Sequence, residues 1–167
     1  MSIAASLLPE FDHEIANTRR ILERIPRDCM AWQPHEKSMS MGKLATHIID
    51  LARMLPVIVS DDALDLFPEG REPFEAREAL PAGQLVEAFD SEIAAGRALL
   101  AGASDERLMR PWSLQNAGYT IFTMPRVGAY RAAVLNHMVH HRGQLTVYLR
   151  LTGTPVPGMY GPSADER

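Results

Sequence analysis

Cysteine is almost missing from this chain. The one thiol, Cys29, has no partner for an internal disulfide, so the fold rests on packing and a reducing cytosol is the expected setting. Lysine and arginine form no cluster, and the formal net charge is -4, which excludes the usual electrostatic footprint of a nucleic-acid binder. A long apolar run is missing too. The most apolar stretch, 48–59, is interrupted by Asp50, Arg53 and Pro56, and is too short and too polar to span a bilayer. Near the start stand Glu10, Asp12 and Glu14, where a signal peptide would carry basic residues and an apolar run, so a cytoplasmic location is expected. What is present is ordinary for a globular chain. The 167 residues are 46% hydrophobic and 23% charged, enough for one domain, 1–167, with a sizeable core.

Apolar periodicity predicts four helices. The first spans about Ile3 to Arg24, with Ser2 as N-cap, Leu7, Leu8, Phe11, Ile15 and Leu22 inward, and Pro9 as a kink or a late start. The second runs from Met41, capped by Ser40, to about Leu55, where Pro56 stops it. Residues 59–81 carry Pro68, Gly70 and Pro73 and read as a long surface connection, of a length that often serves function. The third helix covers about Ala82 to Ala101, with Leu85, Phe89, Ile93 and Leu99 inward and Gly102 just past its end. Trp112-Ser113-Leu114 and Thr120-Ile121-Phe122 flank Asn116-Ala117-Gly118 as one short hairpin. Pro125 then suits the first position of a fourth helix, which ends near Thr152-Gly153, and the tail 154–162 is non-helical and wraps the surface. The fold class expected is all-α, a four-helix bundle with a long crossover connection.

His137 and His141 are four residues apart on the apolar side of the last helix, so their rings stack on one face. His47 lies about 60° from the centre of the apolar stripe of the second helix and points toward the core. A lone inward histidine is usually a hydrogen-bonded core residue. Three of them would bury three polar rings in need of partners, and one metal ion satisfies all three. His140 could replace His141, but the i,i+4 spacing and the position on the stripe favour His141. Met138 follows His137, so the general-base glutamate of the His-Glu-x-x-His proteases has no counterpart. Three neutral ligands leave the ion its full charge and one position open to water, which favours hydroxide, thiolate or carboxylate as a fourth ligand. Gln144, three residues after His141, could orient its ring or hydrogen-bond substrate. Asp50, three after His47, could do the same for that ring, although a solvated position is the plainer expectation. Arg142 is expected to face away and form a salt bridge. His13 and His35 have no partner at ligand spacing and read as surface residues.

These segments resemble a known family. Trp32-Gln33-Pro34-His35-Glu36-Lys37-Ser38-Met39-Ser40-Met41-Gly42-Lys43-Leu44-Ala45-Thr46-His47, Phe122-Thr123-Met124-Pro125-Arg126, Leu135-Asn136-His137-Met138-Val139-His140-His141-Arg142-Gly143-Gln144-Leu145 and the tail Pro155 to Ser163 are similar to the bacterial DinB-like (YfiT-like) metalloenzymes. The resemblance implies a four-helix bundle, commonly a homodimer, with a divalent metal, zinc or nickel, on His47, His137 and His141. Some members use low-molecular-weight thiols such as bacillithiol or mycothiol. The expected function is a metal-dependent enzyme that activates such a thiol toward a small electrophilic substrate in damage response or detoxification. The rival readings are a metal-dependent hydrolase, a non-catalytic metal-binding stress protein and a metal-free dimerisation module.

Overall fold

The computed structural model describes residues 1–71, 73–74 and 76–166. Helix α1 (Ile3–Leu22) starts where the Ser2 hydroxyl accepts the Ala5 N–H at 3.1 Å. Ala4, Leu7, Phe11, Thr18 and Ile21 recur at helical spacing on its buried side. Pro9 lies inside the helix on its exposed side, where water can take up the carbonyl that it frees.

Helix α2 (Met41–Ser60) begins at Ser40, whose hydroxyl accepts the Lys43 N–H at 3.3 Å. It does not stop at Pro56 as the sequence predicts, but continues for four residues beyond it. Ile58 and Val59 are buried there, and burying each contributes roughly 1.5–3 kcal/mol, enough to offset the roughly 3 kcal/mol that an internal proline costs. Apolar residues cover most of the circumference of α2, which makes it the central helix of the bundle.

Helix α3 (Leu85–Gly102) follows a 3-10 turn at Ala82–Gln84. Its buried residues are Leu85, Phe89, Ile93, Gly96 and Leu100. Leu99 was expected inward but is exposed, because six residues after Ile93 it has turned about 120° away from the stripe, whereas Leu100 completes two turns. Gly102 is the last helical residue and not the residue after it; the chain leaves through extended Ala103. A five-residue helix, α4 (Asp105–Met109), is capped by Ser104.

A three-stranded sheet, which the helical periodicity did not announce beyond its hairpin, lies beside the bundle. Its order is β1-β2-β3, from β1 (Ala63–Asp65), β2 (Pro111–Asn116) and β3 (Tyr119–Pro125). Strands β2 and β3 form the expected hairpin, and β1 from the long connection pairs parallel to β2. The hairpin turns at Ala117 (φ 49) and Gly118 (φ 80), the left-handed pair that a tight two-residue turn requires. Asp65 accepts both turn N–H groups, at 2.9 and 2.8 Å, and so ties β1 to the turn. Arg126 is fully buried at the base of the hairpin, where it donates to the carbonyls of Pro111 and Asp61, each at 2.7 Å, and to the Asp62 carboxylate at 2.5 Å.

The last helix comes in three parts: α5 (Arg126–Ala129), a π turn (Tyr130–Leu135) and α6 (Asn136–Leu151). Pro125 serves as the N-cap of α5, one position before its expected place. Gly153 (φ 74) turns the chain away after α6. Arg142 forms the expected salt bridge, with Glu14, and does so in the interior. It is 2% exposed and donates to the Glu14 carbonyl (2.9 Å), the Glu14 carboxylate (2.6 Å), Thr18 Oγ1 (3.2 Å) and Tyr160 Oη (2.6 Å), locking α6 to α1 and the tail. The loop before α2 packs on α6 through Trp32 and Tyr148, whose ring centroids lie 5.3 Å apart edge to face. The tail wraps the surface, ends in a 3-10 turn at Ala164–Glu166, and buries Val156.

The connection between α2 and α3, apart from Glu72 and Glu75, which lie outside the described residues, is tied back to α2. Asp50 accepts the Arg77 N–H at 3.0 Å, and Thr46 Oγ1 accepts the Leu80 N–H at 2.9 Å. The described residues thus form a mostly helical bundle with a small sheet, and no helix among them is long and apolar enough to cross a membrane.

Candidate metal centre

Helices α2 and α6 pack side by side and bring the three expected histidines together. The ring centroids of His47 lie 5.3 Å from those of His137 and 4.7 Å from those of His141, and His137 and His141 are also 4.7 Å apart. One nitrogen from each ring falls within 4.8 Å of the other two. Ligands about 2.1 Å from a tetrahedral ion stand roughly 3.4 Å apart, so small side-chain rotations suffice to close the set on a metal. His47 and His137 are half-buried and His141 is buried. His140 is exposed, and although its ring lies 4.9 Å from that of His141 it is not part of the set. His13 and His35 are exposed as expected.

A hydrogen bond defines which nitrogen His141 offers. His141 Nδ1 lies 2.7 Å from Gln144 Oε1, an oxygen that can only accept, so Nδ1 carries the proton. Nε2 is then a bare lone pair, buried with no hydrogen-bond partner among the described residues. An orphaned acceptor beside two other imidazoles fits a metal ligand. The Ala133 carbonyl beside His137 favours the protonated form of that ring. Ala133 belongs to the π turn, and turns of this kind recur at functional sites because they re-aim the side chains around them. The sequence carries no recognisable signal for this turn.

All three rings are held neutral at ordinary pH. Burial lowers the pKa of His47, and the neighbouring His137 lowers it further, partly opposed by the charge of Asp50. Burial lowers His137 first of all, against the Ala133 hydrogen bond. Burial also brings His141 down to about 4, against its bond to Gln144. Neutral imidazoles with free lone pairs are the form that binds a divalent ion.

Asp50 does not occupy the solvated position expected of it. It is 5% exposed, with its carboxylate bound by Arg53 at 3.2 Å, by the Arg77 N–H and by the Arg77 side chain at 3.5 Å. Arg53 three residues on was the available signal for this pairing. Beside His47, Asp50 and His137 opens a cavity of about 530 Å³. Leu51 and Met54 of α2, Leu66, Phe74 and Ala76 of the connection, Leu114 of β2, Phe122 and Met124 of β3, and Ala132 and Ala133 of the π turn line the rest. The long connection therefore builds the site and is more than a linker. Gln144 is not among the residues that line this cavity.

Comparison with known proteins identifies the family and the fold. Two proteins of Bacillus subtilis strain 168 are similar in sequence. YrdA is 25% identical over 162 residues, spanning 95% of this chain and 89% of YrdA; YjoA is 26% identical over 137 residues, spanning 81% of this chain and 82% of YjoA. Among solved structures, a DinB-like protein from Bacillus cereus has the same fold, with a TM-score of 0.71 at 22% identity, covering 95% of this chain and 98% of that one. The structure of YjoA has a TM-score of 0.68 at 19% identity, covering 97% and 98%. The sequence model of the DinB superfamily matches residues 10–145, a span that includes all three histidines, and the chain belongs to that superfamily.

Proposed function

We propose that this protein is a metal-dependent enzyme that uses His47, His137 and His141 as ligands and activates a low-molecular-weight thiol toward a small electrophile. The observation that carries the reading is the placement of the triad at one end of a ligand-sized apolar cavity, with two of its rings in the cavity wall. A divalent ion on three neutral imidazoles keeps its full charge and an open position, and as a Lewis acid it favours the thiolate form of a bound thiol. The protein's own groups do the rest. Gln144 holds the tautomer of His141, which leaves its buried Nε2 as a lone pair beside the other two rings. Leu51, Met54, Leu114, Phe122 and Met124 keep water away from the reacting end. Asp50 fastens the connection that forms the outer wall.

Elemental analysis of tag-free protein beside His137→Ala and His141→Ala is the first test, with zinc or nickel supplied during reconstitution. About one equivalent of metal in the parent, lost in both variants, is expected. The loaded protein should then form adducts between a small thiol and an electrophile in a metal-dependent way. Absence of metal after reconstitution removes the chemistry altogether. Thiol-independent hydrolysis by the loaded protein would replace thiol transfer with the hydrolase reading, and metal binding with neither activity would leave a metal-stapled, non-catalytic protein.

A further inference from the structure

The cavity beside the triad is built for one kind of guest. Its body is walled by aliphatic, aromatic and thioether side chains, with no lysine or arginine among the described lining residues. Among the described lining residues the one carboxylate is Asp50. Its oxygens are already taken up by Arg53 and by Arg77, so it has little left to offer a ligand. The remaining polar groups, His47 and His137, stand at the same end. A carboxylate or phosphate drawn into the apolar body of this space would lose its hydration with no cationic side chain among the described lining residues to replace it, which is unfavourable. Two features favour an apolar guest. Met54 and Met124 are flexible and fit their thioethers to varied shapes, and Phe74 and Phe122 offer ring faces. At about 530 Å³ the cavity falls in the range that takes a small organic molecule, and exposed Ala76 and Ala132 lie at its rim.

We infer that the electrophile accepted by this protein is an uncharged molecule with an aryl or medium-chain alkyl body, seated in the cavity between α2, β2, β3 and the π turn with its reactive group toward His47 and His137. This rests on the triad being the reactive centre, and it adds which substrates reach it. The walls offer no cation to an anionic group on the body of a guest, so such a group finds compensation only at the histidine end. A thiol cofactor that carries carboxylates keeps them outside this cavity.

The test is a displacement assay on the metal-free chain, using the neutral fluorophore N-phenyl-1-naphthylamine as probe. Two matched pairs compete with it at pH 7.5: 4-phenylbutanamide against 4-phenylbutanoate, and 1-octanol against octanoate. The neutral member of each pair should displace the probe at a concentration at least tenfold lower than its carboxylate. Leu114→Trp, which fills the cavity, should abolish probe binding. Met124→Arg, which supplies a cation that stays charged, should narrow the preference at least threefold. Both variants are checked for the parent's helical circular dichroism, and the comparison of pairs in the parent needs neither. Equal or better displacement by the carboxylates, a parent that binds no probe, or probe binding untouched in folded Leu114→Trp would each overturn the inference. Because the assay needs neither metal nor turnover, it is separable from the reading on which it rests. Neutral selectivity without metal-dependent thiol transfer would sink only the proposed chemistry, and transfer confined to anionic electrophiles would sink only the substrate class.

Discussion

Gln144 is the side chain that orients His141 in the proposed metal site. Its Oε1 accepts the hydrogen bond from Nδ1 and leaves the buried Nε2 as a lone pair. Removing such an orienting partner ordinarily costs 10–100-fold in metal affinity while the ligands themselves stay in place. Gln144→Ala should therefore bind metal at full stoichiometry but with an affinity lowered by roughly one to two orders of magnitude, readable by competition with a chromogenic chelator. His141→Ala should lose stoichiometry, so the two variants separate a ligand from the group that holds it. The ligand pair itself was legible from spacing, since i,i+4 histidines must share a face. The burial of Asp50 was not, because a helical position three residues from His47 is buried or solvated according to what packs over it, and here that is the distant segment that carries Arg77.

Helices α2 and α3 meet at Gly96. A Cβ built there would stand 2.4 Å from Leu55 Cβ, the fixed stem of that side chain, which cannot swing away. Alanine is the better helix former by about 1 kcal/mol, but overpacking of a tight contact costs about 1–3 kcal/mol. Gly96→Ala should thus lower the thermal midpoint by several degrees, while Gly143→Ala, where nothing lies within 4 Å, should hold or raise it; calorimetry of the two variants decides. The tail is fastened by another device. Asp165 accepts the Val156 N–H at 2.8 Å and pairs with Arg150 at 2.6 Å, and the Arg150 bond foremost holds its carboxyl down at about 2. A carboxylate with a depressed folded pKa adds stability above its unfolded value near 3.8, and that stability is lost as pH falls through its folded value. The midpoint of the parent should therefore exceed that of Asp165→Asn at pH 6, and the gap should close between about pH 4 and about pH 2. A gap that stays constant across that range would assign the tail's docking to groups other than this carboxylate.

The bundle is joined across its sequence extremes by Arg142. The guanidinium is 2% exposed and binds Glu14 of α1 and Tyr160 of the tail, residues far apart in the chain. Breaking one partner out of a buried pair costs about 3–5 kcal/mol, because the other charge is left without compensation. Arg142→Met should destabilise the chain by about that amount in urea titration, although the arginine touches none of the three histidines through a side-chain bond. A double variant with Glu14→Gln should recover part of the loss, since it removes the stranded charge.

Helix positions, the caps at Ser2 and Ser40 and the facing of His47, His137 and His141 follow from local periodicity and capping chemistry, which act over a few residues and can be read from spacing. The π turn, the persistence of α2 past Pro56, the parallel pairing of β1 with β2, the burial of Arg126, Arg142 and Asp50, and the cavity depend on partners 15 to 128 residues away. Packing decides those, because a buried charge or a broken helical bond is tolerated only where a distant group supplies what the local chain cannot.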